Sequence, residues 1–237
     1  MSSWMIELEG DKFDIQDLQN LNFLPNIKVV EEYERYYISA NEFDSCAEAR
    51  EVLLQGTNLV NVINGIAQLQ NSNWKPVKLI GVARNEIDGS RTQFLSPEPI
   101  QGRSKVSANL TVIRADGTVN TSRQPSFIES VFTISTRNAN VERALRIYGS
   151  REHNWVNLYI IYEIVESDVG GKNVIGANGW CSETQIRNFK HTANSVGAVG
   201  DESRHGKEST APPSIPMPLE EARILIVSLL KQWIRSK

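Results

Sequence analysis

The sequence predicts an α+β protein: an N-terminal antiparallel sheet with one long helix, followed by an all-α helical bundle. Three observations carry this. Short runs in the first half alternate apolar and polar residues, the two-residue period of a half-buried strand. Two Asp-Gly pairs, Asp88-Gly89 and Asp116-Gly117, stand between such runs, where hairpin turns belong. Beyond about residue 126 the apolar spacing changes to the 3.6-residue period of helices. The expected organisation is an α+β domain over residues 1–130 and a helical domain over 137–237, with the boundary near 125–137.

The elements follow in order. Trp4–Gly10 alternates apolar and acidic residues and stops at glycine, which reads as a half-buried strand. Ile27–Val30 and Arg35–Ser39 are two more strands, joined by an acidic turn at Glu31-Glu32-Tyr33-Glu34. A long helix is expected from Ser45 to Gln70. Ser45 and Glu48 match a capping box, and Val52, Leu53, Leu59, Val60, Ile63 and Leu69 recur at helical spacing. Gly56 and Gly65 each weaken that helix by about 1 kcal/mol relative to alanine, so they mark close packing against a sheet. Val77–Asn85 and Ser90–Leu95 form a hairpin about Asp88-Gly89, read as a type I′ turn. Lys105–Arg114 alternates again, with Thr118–Thr121 as its return strand, after a loop containing Pro97, Pro99 and Gly102.

In the second half, residues 139–149 form a helix with Val141, Leu145 and Tyr148 on one face. Residues 152–168 form a longer one, with Trp155 and Tyr159 on its core stripe and Gly170-Gly171 as its stop. Ser182–Asn194 is a helix capped by Ser182. Ser195–Ser214 is a Gly-, Ser- and Pro-rich loop, long enough to be either functional or mobile. The last helix opens at Pro218, with Glu220 and Glu221 in its first turn and Lys231, Arg235 and Lys237 at its end, as the helix dipole favours. Apolar residues nearly encircle its middle, which predicts burial on more than one side and a share in a homo-oligomeric contact.

With 237 residues, 40% of them hydrophobic and 22% charged, the chain can bury a core; a disordered tail and a rod are excluded. The net charge of −3 divides unevenly. Residues 1–51 carry 12 acids and 4 bases (−8), and residues 52–237 carry 16 acids and 21 bases (+5). That is a solvated acidic segment and not the basic field of a typical nucleic-acid binder. The start, MSSWMIELEGDKFD, has no basic stretch leading into an apolar run, and the longest apolar run, near Ile224–Leu230, is far short of a membrane span. Cys46 and Cys181 stand alone, with no Cys/His cluster to bind zinc. A soluble cytoplasmic protein without a membrane segment is expected.

No phosphate-binding, dinucleotide-binding, zinc-protease or nucleophile-elbow motif occurs, so no cofactor and no metal is implied. Glu86 and Asp88 with Arg84 are the nearest approach to paired carboxylates, and turn chemistry accounts for Asp88. The three histidines, His153, His191 and His205, all lie in the helical half. Arg187 and His191 share a helix face, and Arg204 and His205 are adjacent in the loop before the last helix. An imidazole can move a proton and a guanidinium can grip a phosphate, the two functions of a metal-independent ribonuclease. Arg137, Arg143, Arg146 and Arg151, with His153, form a basic run that could meet phosphates, or a solvated face with local ion pairs.

A helical hairpin, a polar loop ending in Arg204-His205-Gly206, and Met217-Pro218-Leu219-Glu220-Glu221-Ala222 opening an amphipathic helix resemble the end of HEPN domains, over roughly residues 137–237. The whole chain is also similar to uncharacterised bacterial proteins. The HEPN resemblance implies an all-α module of toxin–antitoxin or anti-phage systems. Many of these act as dimeric ribonucleases through an Arg, four to six residues, and a His. Here three residues separate Arg187 from His191 and none separates Arg204 from His205. Two readings result. One is an oligomeric bacterial binding or adaptor protein with an RNA or protein partner. The other is a ribonuclease effector using Arg204 or Arg187 with His205 or His191. A small-molecule sensor is a third, for which no residue set names a ligand.

Overall fold

Strands form where the alternating runs place them. The computed structural model describes residues 3–20, 26–32, 34–95, 127–205 and 211–237. Strands β1 (Ser3–Glu9), β2 (Ile27–Glu32), β3 (Arg35–Ala40), β4 (Lys78–Asn85) and β5 (Arg91–Leu95) make one sheet in the order β2-β3-β1-β4-β5, with every neighbouring pair antiparallel. The architecture is α+β, with the sheet near the N-terminus and helices after it. The chain divides into two compact units: Met1–Val60 with Gln70–Phe132, and Asn61–Leu69 with Thr133–Lys237. The expected strands Lys105–Arg114 and Thr118–Thr121, the Asp116-Gly117 turn, and the loop with Pro97, Pro99 and Gly102 lie outside the described residues.

The first described hairpin is tighter than the sequence suggested, and the second has a longer loop. Glu31 and Glu32 belong to β2, opposite Tyr36 and Arg35, so the acidic stretch is only partly turn. Glu34 takes the left-handed conformation the reversal needs, at φ 62°. The second hairpin is not type I′, which requires two residues at positive φ. Only Gly89 is left-handed there, at φ 84°. Its N–H donates to the Glu86 carbonyl (3.1 Å), and the Glu86 N–H donates to the Ser90 carbonyl (2.8 Å). That is a type I turn closed by a left-handed glycine. Asp88 serves the turn as expected: its carboxylate accepts from the Ser90 hydroxyl and N–H, which hold its pKa below the usual range.

Two helices accompany the sheet. Helix α1 (Lys12–Asn20) is short and acidic, and its weak periodicity hides it from a sequence reading. Asp11 caps it, accepting from Phe13 N–H (3.1 Å) and from Lys75 Nζ (2.9 Å). Helix α2 (Ala49–Gln70) is the long helix, but Ser45 does not cap it. Residues Asn41–Ser45 form a 3₁₀ turn, so the Ser45 hydroxyl donates back to the Glu42 carbonyl (3.0 Å). Glu51 reaches back instead, accepting from Ala47 N–H at 2.8 Å.

The glycines of α2 mark two different contacts. A Cβ at Gly56 would stand 2.7 Å from Ile6 Cγ2 and 2.9 Å from Leu79 Cδ1, so this glycine does seat the helix on the sheet. Both obstacles are side-chain ends that can turn aside. Gly56→Ala is therefore expected to lower stability by about 1–2 kcal/mol, read as the shift of a urea-unfolding midpoint. Gly65 faces helix backbone instead of a sheet.

In the second unit, α3 (Phe127–Ser135) leads to α4 (Ala139–Ser150), α5 (Trp155–Val169), α6 (Lys172–Ala177), α7 (Glu183–Ala193), α8 (Val196–Val199) and α9 (Leu219–Arg235); the unit takes α3 from Thr133 on. Asn138 caps α4 through Asn140 and Val141 N–H, and Val141, Leu145 and Tyr148 are buried as expected. Helix α5 starts three residues later than expected. Asn154 is its cap, and His153 is held outside it, stacked on Tyr148 at 4.1 Å with Nε2–H donating to the Tyr148 carbonyl. Gly170 ends α5 at φ 89°, with Gly171 N–H bonded to the Glu166 carbonyl, the Schellman pattern. The expected Ser182 cap is present at the start of α7, and Gln185 completes it as a capping box.

Backbone meets backbone where α2 crosses α4. A Cβ at Gly65 would fall 2.2 Å from the Leu145 carbonyl oxygen, and one at Gly149 only 2.0 Å from that of Asn61. Helix α9 buries Ala222, Leu225, Ile226, Leu229, Leu230, Trp233 and Ile234 and leaves Ile224 exposed, so its burial is on one broad face and not all round. Asp168, in the last turn of α5, accepts from the Trp233 indole N–H (2.8 Å), Asn140 Nδ2 (2.8 Å) and Lys237 Nζ.

Candidate functional site

Helix α5 carries two tyrosine–glutamate pairs four residues apart, Tyr159–Glu163 and Tyr162–Glu166, and each holds one cation. Lys190 of α7 bonds both Glu166 oxygens (3.2 and 3.3 Å) and lies 5.1 Å over the Tyr162 ring. Arg204, beyond α8, donates from Nη2 to Glu163 Oε1 (2.8 Å) with its guanidinium 4.4 Å over Tyr159. Ring face and carboxylate thus grip each cation from two directions. The rings belong to an aromatic core in which Phe189 packs against Trp155, Tyr159 and Tyr162 at 5.7–6.0 Å. Trp155 and Tyr159 are core residues, as their stripe predicts. Burial, with the bond to Glu166, pushes the Tyr162 hydroxyl well above its ordinary pKa, so it stays a neutral donor.

The expected Arg/His pairs are placed as follows. Arg204 Nη1 lies 3.4 Å from His205 Nε2, so these neighbours in sequence also touch in space. The Arg204 backbone N–H donates to the Ala193 carbonyl (3.0 Å), folding residues 194–204 back onto the end of α7. His191 Nε2 lies 2.8 Å from the Ala211 carbonyl. A carbonyl only accepts, so Nε2 carries the proton and the lone pair of the neutral ring is on Nδ1. Met217 N–H donates to the buried Thr192 hydroxyl (3.0 Å). The stretch expected as a long loop is therefore partly structured, by α8, by a 3₁₀ turn at Gly200–Glu202 and by these anchors. Residues 206–210 lie outside the described residues.

Arg187 is exposed on α7 and, with Lys172 and Asn173 of α6 and Glu183, Ile186 and Lys190 of α7, lines a cleft of about 350 Å³. Neither Arg187 nor Lys172 has a hydrogen bond or an ion pair among the described residues. The basic run divides. Arg146 pairs with Glu142 at 3.0 Å, and Arg151 reaches Asn157 Oδ1 at 3.4 Å. Arg137 and Arg143 are exposed.

A second polar cluster, which strand periodicity did not reveal, lies on one face of the sheet. Glu7 alternates as a solvent-facing residue would, yet it is 4% exposed. It accepts from Arg35 Nη1 (3.2 Å) and from Gln93 Nε2, and Gly81 stands opposite it in register. Beside it, Arg91 lies 5.0 Å over the buried Tyr37 ring and bonds Glu32 (2.6 Å) and Asn85 (2.7 Å). Arg35 on β3 and Arg91 and Gln93 on β5 meet this face through the strand order β3-β1-β4-β5, which the sequence alone does not give.

Among the described residues no group of three or more His, Cys, Asp or Glu side chains is placed to hold a metal ion, and no helix is long and apolar enough to cross a membrane. Both cysteines are buried, and burial pushes the Cys181 thiol up to about 11, far from a reactive thiolate. Comparison of the chain with protein-family models, with curated proteins and with solved structures finds no match.

Proposed function

We propose that this chain is a soluble, cytoplasmic bacterial binding or adaptor protein, acting as a homo-oligomer in a defence or toxin–antitoxin setting. The observation that carries the reading is that two of the four groups suited to catalysis, Arg204 and His191, are engaged by the protein itself. Arg204 is neutralised by Glu163 and lies on Tyr159, and His191 gives its Nε2 proton to a backbone carbonyl. A guanidinium already paired with a carboxylate has less charge to offer a scissile phosphate. Self-association through α9 would use Ile224, 64% exposed in the middle of that helix.

A second reading, a metal-independent HEPN-type ribonuclease, is favoured by one contact: Arg204 Nη1 beside His205 Nε2 puts a cation and a proton acceptor together on an exposed loop. One experiment separates the two. Light scattering gives the mass of the purified chain while labelled single-stranded RNA is incubated with it in chelator. The adaptor reading expects an oligomer that leaves RNA intact and that Ile224→Glu converts to monomer. RNA shortening that His191→Ala and His205→Ala together abolish would replace it with the ribonuclease reading.

A further inference from the structure

We infer that the cleft between α6 and α7 is a binding site for a phosphorylated sugar. This goes beyond the adaptor reading and does not depend on it. The cleft is built from two elements: Lys172 and Asn173 on α6, and Glu183, Ile186, Arg187 and Lys190 on α7. Its volume of about 350 Å³ falls at the small end of small-molecule clefts, which run from roughly 300 to 1,000 Å³.

The charges decide the ligand. Three cations face the cleft. Lys190 is already committed to Glu166 and Tyr162, whereas Arg187 and Lys172 are uncommitted among the described residues. A planar guanidinium on α7 and an ammonium on α6 suit a phosphate, one by a bidentate bond and one as a point charge. Glu183 also lines the cleft and forms no ion pair with Arg187 four residues on, although helical spacing would allow one. A bare anion would be repelled by it. A ligand carrying hydroxyl donors beside its phosphate would use it, because an ionised carboxylate only accepts. Asn173 can donate or accept, and Ile186 supplies a small apolar floor. Among the described residues no aromatic side chain lines the cleft to stack a base, so the recognition it offers is of sugar and phosphate.

That chemistry comes from two sources, a free sugar phosphate and the sugar–phosphate backbone of RNA, and titration calorimetry on the full chain at low salt distinguishes them. The probes are inorganic phosphate, ribose 5-phosphate and a short oligouridylate. Ribose 5-phosphate is expected to bind more tightly than inorganic phosphate, and Arg187→Ala or Lys172→Ala to weaken it about tenfold or more. Glu183→Ala is expected to tighten inorganic phosphate and erase the preference for the sugar. If the oligouridylate alone binds, with the same dependence on Arg187, Lys172 and Glu183, the source is RNA backbone. The proposal is overturned if no probe binds, or if binding persists unchanged in the Arg187 and Lys172 variants. All three positions are exposed, so melting curves matching that of the parent chain verify the fold of each variant.

Discussion

Gly149→Ala is expected to lower the stability of the protein by at least about 3 kcal/mol, roughly 6–12 °C in Tm for a chain of this size. The new methyl group would fall 2.0 Å from the Asn61 carbonyl oxygen and 2.4 Å from Gly65 N. Those are backbone atoms of a helix, unable to swing aside as the ends of Ile6 and Leu79 can at Gly56. The only relief is to separate α2 from α4, which opens the packing around Val141, Ala144 and Leu145, all fully buried. Gly65→Ala is expected to act in the same direction, against the Leu145 carbonyl. Gly176→Ala is the control: its nearest neighbour would be Glu183 Cγ at 3.8 Å, an ordinary contact, and alanine favours the helix by up to about 1 kcal/mol. Thermal melts followed by circular dichroism read all three. A Gly149→Ala melt matching that of the parent would mean that the two helices do not approach this closely.

Asp168→Ala is expected to cost about 2–4 kcal/mol, because it leaves the indole N–H of the fully buried Trp233 without its acceptor and frees Asn140 and Lys237 as well. The effect has a pH signature. Burial alone would raise the Asp168 pKa, but the bonds from Lys237, Asn140 and Trp233 outweigh it and hold the carboxyl below its usual value. A carboxyl whose pKa is lower in the folded state than in the unfolded one stabilises fully above the unfolded value, near 4, and loses that contribution as pH falls through the folded one. The stability gap between the parent and Asp168→Ala, measured by urea unfolding, should therefore be wide at neutral pH and shrink in acid. A gap independent of pH would assign the loss to packing alone.

What could be read from the sequence was what depends on near neighbours. The cap at Ser182, the stop at Gly170-Gly171 and the stripes of α4 and α9 involve residues within one or two turns of each other, where spacing is geometry. Ser45 and Ser182 show the limit. Both stand three residues before a Glu or Gln, yet only Ser182 caps a helix, because a 3₁₀ turn ends at Ser45. The conversion of Glu7 from an outward residue to a buried one needed Arg35 and Gln93 from other strands, 28 and 86 positions away. The same holds at the candidate sites. Arg187 was legible as a helix-face cation, but its cleft depends on α6, a six-residue helix with little periodic signal. The clamp on Arg204 depends on Tyr159 and Glu163, which in sequence look like a core aromatic and a solvated acid.

The division of α2 between the two units has a consequence for synthesis on the ribosome. Residues 61–69 belong with a unit whose other members begin at Thr133, and the Gly65 contact waits for Gly149. At about 5–20 residues per second, the 80 positions between Leu69 and Gly149 take roughly 4–16 s to emerge. Through that interval Gly65 has no α4 backbone to pack on, and Val62, Ile63, Ile66 and Leu69, all buried in the finished protein, lie in a segment whose own unit is still incomplete. The nascent chain therefore carries an apolar helical segment for seconds before the rest of its unit exists, an interval in which it is open to misassociation. A fragment beginning at Thr133 would lack it altogether and leave the α2-facing side of α4 bare.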